Sequence, residues 1–143
     1  MTLRYPAHFE PCEEGGFTVT FRDVPEAITQ GDDENKALAN AADALVSAFA
    51  IYAADGSDWP TASSAREGER MATLDTVTTL KLELARLVAQ ERMPVAELAR
   101  RMGYGSKNPA RRLLSLRRTT KTGELERALS LFGMAVDVQV TRA

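Results

Sequence analysis

The sequence predicts an α+β protein, and three observations carry that prediction. Apolar and polar residues alternate in two short segments between residues 3 and 22, which is the period of half-buried strands. Between residues 38 and 52, apolar residues recur at steps of three and four, as in a helix with one buried stripe. From about residue 77 onward, short helical patterns follow one another, separated by glycine and proline. We therefore expect a sheet covered by one helix, followed by an all-α unit.

The N-terminal unit is predicted to have the order βββαβ. Its first strand carries apolar residues at positions 3, 5, 7 and 9, and its second at 17, 19 and 21. Gly15 and Gly16 favour a hairpin between these strands, because glycine adopts the positive φ angles of tight turns. Pro25 ends the second strand, and a short third strand is expected over residues 27–30.

The helix that covers this sheet is expected to follow three consecutive carboxylates, Asp32, Asp33 and Glu34. Carboxylates favour a helix N-terminus because they accept hydrogen bonds from free amides and face the positive end of the helix dipole. Residues 59–64 indicate a loop, and residues 70–75 are predicted to form a fourth strand.

Four helices are predicted in the second half of the chain. The first carries apolar residues at positions 80, 84, 87 and 88, and the second begins at Pro94 and ends at Gly103. The third is expected over residues 108–116, with Asn108 as its N-cap and Pro109 at its first helical position. The fourth is expected to be capped by Thr120 and to end at Gly133.

Charge divides the chain in two. Residues 1–79 hold 5 Lys/Arg and 14 Asp/Glu, a net charge of about −9, whereas residues 80–143 hold 13 and 6, a net charge of about +7. An acidic half suits a basic partner, and a basic half suits a phosphate backbone. Cys12 is the only cysteine, which excludes an internal disulfide and agrees with a reducing compartment. No run of about 18 apolar residues occurs, so we expect no membrane span.

The spacing of the second and third helices of this half predicts a helix-turn-helix motif. Ala99 is small where two helices cross closely, and Gly103, four residues later, permits the turn. The following helix is then the recognition helix, whose arginine and asparagine side chains suit contacts to guanine and adenine. Basic residues just beyond it suit phosphate contacts. The DNA-binding residues predicted on this basis are Ser106, Lys107, Asn108, Arg111, Arg112, Arg117, Arg118 and Lys121.

The turn of the motif is one residue longer than in its commonest form, so the first residue of the recognition helix is left open by about one position. The tail, residues 134–140, alternates like a strand. We expect Val136, Val138 and Val140 to form a dimerisation strand across a two-fold axis, since helix-turn-helix proteins usually bind palindromic sites as dimers. Pairing within its own chain, or fraying, is the alternative for this segment.

The chain shows no pattern of a catalytic set, a metal cluster or a phosphate-binding loop, so no enzyme activity and no cofactor are expected. His8 is the only histidine and lies on a predicted strand. A metal-dependent nuclease would need a metal site among the carboxylates of the first strands, which lie mostly in predicted turns: Glu10, Glu13, Glu14, Asp23 and Glu26. Two binding functions remain open, a helix-turn-helix regulator with a small-ligand-sensing N-terminal domain and a protein that binds both DNA and another protein.

Several segments resemble the HicB-type antitoxins in their helix-turn-helix version. They are Tyr5-Pro6-Ala7, Gly16–Pro25, Ile28–Asp32 with an alanine-rich helix after it, Trp59-Pro60 with Ala62-Ser63, and Leu113–Lys121. The resemblance covers about residues 4–140. Glu26-Ala27 depart from it, since the family commonly has a glycine-cysteine pair there.

The resemblance implies a degenerate ribonuclease-H-like N-terminal domain over residues 1–76 and a DNA-binding and dimerising domain over residues 77–143. It implies a HicA-type toxin, an mRNA-cleaving ribonuclease, as the protein partner, and the operator of the chain's own promoter as the DNA partner. A homodimer or a dimer of dimers in the cytoplasm, away from membranes, is expected.

Overall fold

A four-stranded antiparallel sheet forms the N-terminal part of the molecule. The computed structural model describes residues 3–142. The strands follow the spatial order β3-β2-β1-β4, and their bounds are β1 (Arg4–Pro11), β2 (Phe17–Thr20), β3 (Ile28–Gly31) and β4 (Glu69–Thr73). Helix α1 (Glu34–Ala54) connects β3 to β4, so the predicted order βββαβ and its fourth strand are confirmed.

The register of the strands places one set of side chains on a buried face. Tyr5 pairs with Ala72 across β1 and β4, and Phe9 pairs with Val19 across β1 and β2. Tyr5, Val19 and Ala72 are buried, whereas His8, which points to the other face, is exposed. The alternation of apolar and polar residues in the sequence therefore predicts correctly which side chains lie on the buried face and which on the exposed face.

Helix α1 covers that buried face. Its N-cap is Asp33, whose carboxylate accepts a hydrogen bond from the Lys36 amide at 2.8 Å. Its buried stripe consists of Ala37, Ala41, Leu45, Ala48, Phe49 and Ala53. The sheet and the helix approach closely at Gly31, where an added Cβ would lie 2.4 Å from the Ala37 nitrogen. With 21 residues and a mean hydropathy of 1.5 in its most apolar window, α1 is long and apolar enough to cross a membrane, but its stripe packs against the sheet.

Four helices follow, as predicted: α2 (Thr76–Gln90), α3 (Val95–Met102), α4 (Asn108–Leu114) and α5 (Thr122–Ser130). Two clusters of buried apolar side chains result, one between the sheet and α1, which we call the first core, and one among α2–α5, the second core. Helix α2 contributes to both, since Leu82 lies in the first core while Leu84 and Leu87 lie in the second.

Two helix starts differ from the prediction by one residue each. Lys107, not Asn108, is the N-cap of α4, so Asn108 is the first helical residue and Pro109 the second. Proline is tolerated at both of the first two positions because neither amide has a partner within the helix, and its presence therefore does not fix the start. Lys121, not Thr120, is the N-cap of α5, and the Thr120 hydroxyl points back to the Arg112 carbonyl at 3.5 Å.

The strand expected in the tail does not form within the chain. Residues 134–142 have no strand or helix assignment in the part of the chain that the structure describes. The alternation of apolar and polar residues in the tail fits the two faces of a strand. A strand also needs a neighbouring backbone for its hydrogen bonds, and the sequence pattern does not provide one. Val136 packs against the second core, whereas Val138 and Val140 are 68% and 94% exposed.

Candidate nucleic-acid interface

The turn between α3 and α4 is closed by a glycine in the left-handed conformation. Gly103 has a φ of 78°, and its amide donates to the Arg100 carbonyl at 3.1 Å. The next amide, that of Tyr104, donates to the Ala99 carbonyl at 2.9 Å. These two bonds form a Schellman closure, which requires a positive φ at its glycine position. The predicted role of Gly103 in ending the helix is confirmed.

The predicted DNA-binding residues all lie on the surface. Ser106 is in the turn and is exposed, and so are the other seven side chains between positions 107 and 121. We call residues 107–121 the basic segment; its six cations are Lys107, Arg111, Arg112, Arg117, Arg118 and Lys121. Within residues 3–142, none of these six cations forms an ion pair, whereas those of the preceding helix do.

The preceding helix, α3, shows the contrast. The Glu97 carboxylate accepts hydrogen bonds from Arg100 at 2.6 Å and from Arg101 at 2.8 Å. The bond from Arg100, followed by that from Arg101, lowers the pKa of Glu97 to about 2. Arg100 and Arg101 are thus neutralised locally, and the positive charge of this region is concentrated in the basic segment.

Within the basic segment, Asn108 and Arg111 contact each other. The Arg111 guanidinium donates to the Asn108 side-chain oxygen at 3.1 Å, one turn along α4. The prediction treats these side chains as separate readers of bases, but the structure brings them together as one exposed pair. The amide nitrogen of Asn108 and the remaining guanidinium donors of Arg111 still face outward, since both residues are exposed.

A buried lysine holds the end of α4 and the turn after it. Lys81, on α2, is 1% exposed, and its ammonium donates to the carbonyls of Arg112 at 2.8 Å, Ser115 at 2.7 Å and Arg118 at 2.6 Å. Its three N–H groups match these three acceptors. Burial lowers the pKa of the Lys81 ammonium. The contacts fix the backbone from which Arg112, Arg117 and Arg118 project.

Sequence reasoning missed Lys81. The residue sits in the run Leu80-Lys81-Leu82-Glu83-Leu84, where apolar neighbours on both sides leave it without a fully polar helix face. These apolar neighbours are the one local feature of the sequence that indicates a buried lysine. The carbonyls it binds lie 31 to 37 residues further along the chain, so the contact itself has no local signature.

A second long-range contact fixes the other side of the turn. The Arg127 guanidinium, on α5, donates to the Met102 carbonyl at 2.8 Å and lies 5.8 Å from the centre of the Tyr104 ring. The turn and α4 are therefore held from α2 and from α5, which is the rigid support that a recognition surface requires.

The carboxylates considered for a metal site are not gathered. Asp23 accepts hydrogen bonds at 2.8 Å from both the amide and the hydroxyl of Ser63. Glu26 accepts a hydrogen bond from the Tyr52 hydroxyl, and Glu10 lies 3.0 Å from His8. Over residues 3–142, no group of three His, Cys, Asp or Glu side chains is arranged to hold a metal. The Asp23 contacts instead fasten the loop after α1.

That loop, residues 57–66, is anchored at several points across the sheet and α2. The Tyr5 hydroxyl donates to the Pro60 carbonyl at 2.7 Å, and burial raises the pKa of Tyr5 to about 12. Trp59 packs on Phe49 with ring centres 5.2 Å apart and donates to Glu83 on α2. The loop therefore ties the first core to the helix that supports the basic segment.

The residues predicted to form a dimerisation strand lie apart from the basic segment. Val136 and Val138 line a cavity of about 290 Å³ between the tail and α2, together with Leu80, Leu87 and Leu129. The structure thus separates an exposed cationic surface from an apolar tail.

The fold and these surfaces define a class, namely small α+β proteins that join a sheet-and-helix unit to a helical unit with an exposed cationic segment. The family model described as HicB_like antitoxin of bacterial toxin-antitoxin system matches residues 4–83. The chain belongs to this family of HicB-like antitoxins, as the resemblance in the sequence indicates. Members of the family are antitoxins, so the chain is not an enzyme.

Curated relatives extend the similarity over nearly the whole chain. Antitoxin HicB 2 of Photorhabdus laumondii is 38% identical over 136 residues, covering 95% of this chain and 95% of that protein. Antitoxin HicB 1 of the same organism is 33% identical over 138 residues, covering 96% and 87%. Antitoxin HicB of Escherichia coli K12 is 34% identical over 131 residues, covering 92% and 94%. The helical half is therefore shared with these relatives.

Proposed function

We propose that this antitoxin binds and inhibits a HicA-type, mRNA-cleaving ribonuclease toxin and represses its own operon by binding operator DNA. In this proposal, residues 1–76 form a degenerate ribonuclease-H-like domain that neutralises the toxin. Residues 77–143 form the helix-turn-helix domain that binds DNA and dimerises. Both activities take place in the cytoplasm.

One observation carries the DNA-binding part of the proposal. The six cations of the basic segment are exposed and, among the described residues, have no carboxylate partner, although neighbouring cations on α3 do. A protein that neutralises phosphates needs cations that are not already neutralised within the protein. The two long-range contacts from Lys81 and Arg127 support this surface from behind.

The roles of individual residues follow from their positions. We assign base contacts to the first turns of α4, from Asn108, Arg111 and Arg112, with Ser106 and Lys107 beside them. We assign phosphate contacts to Arg117, Arg118 and Lys121, which follow the end of α4. Phosphate contacts set the register in which the base contacts are made.

The toxin-binding part rests on family membership and on charge. Residues 1–79 carry a net charge of about −9. A ribonuclease must hold a polyanion, so its RNA surface is basic, and an acidic protein covers such a surface by electrostatic complementarity.

The test uses the full chain, the product of the adjacent toxin gene and the promoter of the operon. We expect the two proteins to co-purify and the antitoxin to suppress mRNA cleavage by the toxin. We also expect the antitoxin to bind the promoter, with affinity that falls steeply as salt rises. Absence of binding to the neighbouring gene's product would refute the antitoxin mechanism, and absence of promoter binding would refute autorepression.

We further propose that the tail joins two copies through Val136, Val138 and Val140, giving a homodimer or a dimer of dimers. Val138 and Val140 are apolar and exposed in the single chain, which is typical of a surface that becomes buried on association. Deleting residues 134–143 is expected to separate the dimer in sedimentation experiments. A truncated protein that still sediments as a dimer would contradict this assignment.

A further inference from the structure

The outer edge of the sheet and the exposed side of α1 enclose a groove. The groove has a volume of about 390 Å³, and we call it the β3 groove. Its lining residues are Glu26, Ile28, Thr29, Asn40, Asp43, Ala44, Ser47, Ala48 and Ile51. The groove lies in the acidic half of the molecule, on a different part of the chain from the basic segment and the tail.

Strand β3 offers an open backbone edge to this groove. It ends the strand order, and among residues 3–142 it pairs only with β2. Asn40, on α1, donates to the Gln30 carbonyl at 2.8 Å, so the backbone groups of Gln30 point outward, with the carbonyl bound to Asn40. Residues two apart on an antiparallel strand direct their backbone groups to the same edge, so those of Ile28 face outward too. Such an edge is a template for an added strand.

The groove also concentrates exposed apolar surface. Ile28 is 63% exposed and Ile51 is 62% exposed, although they come from a strand and a helix respectively. The other exposed large apolar side chains among the described residues are in the tail, at Met134, Val138 and Val140. Two elements thus place their exposed isoleucines at one groove, a feature of protein-binding sites.

The charge of the groove selects the kind of partner. Its two charged lining residues are Glu26 and Asp43, and its lining contains no Lys, Arg or His. The Tyr52 hydroxyl donates to Glu26 and lowers the pKa of that carboxyl, which like other glutamates is ionised at neutral pH. Arg22 and Arg66 line the neighbouring pocket that also contains Ile28, and Arg22 is bound to Glu69 at 3.0 Å. A partner must therefore bring the positive charge.

From this juxtaposition we infer that the β3 groove is the docking site for the basic toxin. The toxin contributes an extended segment that pairs with the Ile28 edge, an apolar side chain that packs between Ile28 and Ile51, and cations that face Glu26 and Asp43. The inference rests on the proposed antitoxin function and adds the surface that performs it. Carboxylates at the RNA-binding surface of the toxin would compete directly with phosphate.

The test measures binding of the full chain to the toxin from the adjacent gene, inactivated by substitution of its catalytic residue. Asp43→Lys and Ile51→Ser are the groove variants, and Asp55→Lys is the matched control, since Asp55 is exposed just beyond α1 and outside the groove. We expect each groove variant to weaken toxin binding by about tenfold or more, and the control to change it by less than about threefold.

Two further measurements keep the result specific. Thermal melts and promoter binding of the groove variants are expected to match those of the wild type, because Asp43 and Ile51 are exposed and lie far along the chain from the basic segment. Hydrogen exchange is expected to show that the amides of Ile28 and Gln30 become protected when the toxin binds.

The outcomes separate this inference from the proposed function. If the wild type binds the toxin and both groove variants bind equally well, the docking site is wrong while the antitoxin function stands. If the wild type does not bind the toxin, both proposals fail. If Asp43→Lys instead changes the sedimentation of the antitoxin alone, the groove is an interface between copies of this chain, and its assignment to the toxin is overturned.

Discussion

The two cores of the molecule present different kinds of unpaired groups to solvent. Around the first core, three of the five cations in residues 1–79 have carboxylate partners in the described part of the chain, in the pairs Arg22–Glu69 at 3.0 Å, Arg70–Glu34 at 2.7 Å and Lys36–Asp32 at 4.0 Å. What stays exposed there is an open strand edge, two isoleucines and an excess of carboxylates. Around the second core, six cations of the basic segment stay unpaired among residues 3–142, while Glu97 pairs with the two arginines of α3.

This difference shows why net charge alone does not locate a binding surface. The basic half carries 13 Lys/Arg, but several of these cations already bind acceptors within the protein. They include Lys81, Arg86, Arg100 and Arg101. A cation that already has an acceptor in the protein gains little by meeting a phosphate. The informative quantity is the charge left over after internal pairing, and it is concentrated between residues 107 and 121.

The largest expected effect comes from Lys81→Met, which removes the support of the basic segment. The substitution nearly preserves the length of the side chain but removes the ammonium that donates to three partly buried carbonyls, of which those of Arg112 and Ser115 keep longer contacts from the Thr120 hydroxyl and the Arg118 amide. We expect the free energy of unfolding to fall by about 3 kcal/mol, since each buried polar group left unpaired costs about 1–3 kcal/mol and the three effects are not additive. Urea unfolding measures the loss.

Lys107→Met is the matched control, because the same side chain is removed from an exposed position. Its effect on the free energy of unfolding is expected to stay within about 0.5 kcal/mol. The folded Lys81→Met protein should also show a shallower salt dependence of promoter binding, by about 0.9 in the log–log slope for each phosphate that the protein no longer neutralises. If the two variants had equal free energies of unfolding, the three carbonyl contacts of Lys81 would not contribute to stability.

The sequence predicts most of the fold because most of its elements have a single buried face. The strands at Tyr5 and Val19 and the stripe of α1 are recovered from periodicity, since each packs on one side only. The end of α3 is recovered because a Schellman closure requires the glycine that stands at position 103. In each of these cases a local pattern and a tertiary contact favour the same structure.

What the sequence could not provide depends on distant partners. The contacts of Lys81 with the end of α4, and of Asp23 with Ser63 forty residues away, exist only because the chain folds back. The alternation of the tail predicts a strand, but the described chain gives it no neighbouring strand. The start of α4 differs by one residue from the prediction because Pro109 is compatible with either of two positions.

Arg111→Ala and Arg112→Ala should produce the next largest effect, now on promoter binding alone. A good base contact is worth about 1–3 kcal/mol, so each substitution is expected to weaken binding by roughly tenfold to over a hundredfold. Fluorescence anisotropy with the promoter measures this, and toxin binding should stay intact. Arg100→Ala is the control, because Arg100 is already paired with Glu97. If neither substitution in α4 alters the affinity for the promoter, α4 is wrongly assigned as the recognition helix.

The smallest effect is expected from Glu97→Gln, which turns paired cations into free ones. With Glu97 neutral, Arg100 and Arg101 lose their partner, and the salt dependence of DNA binding should become slightly steeper if they then reach phosphates. Stability should change little near neutral pH, because these are surface ion pairs. The sign of the pH effect is fixed by the pKa of Glu97, which folding lowers from 4.5 to about 2.

A carboxyl with a lowered pKa stabilises the fold above its ordinary pKa and loses that contribution as the pH falls through the folded value. The difference in unfolding free energy between the wild type and Glu97→Gln should therefore shrink as the pH is lowered from 4.5 toward 2. Urea unfolding at several acidic pH values tests this. A difference that grows on acidification would mean that Glu97 does not hold the two arginines, and the distinction between the paired cations of α3 and the free cations of the basic segment would then fail.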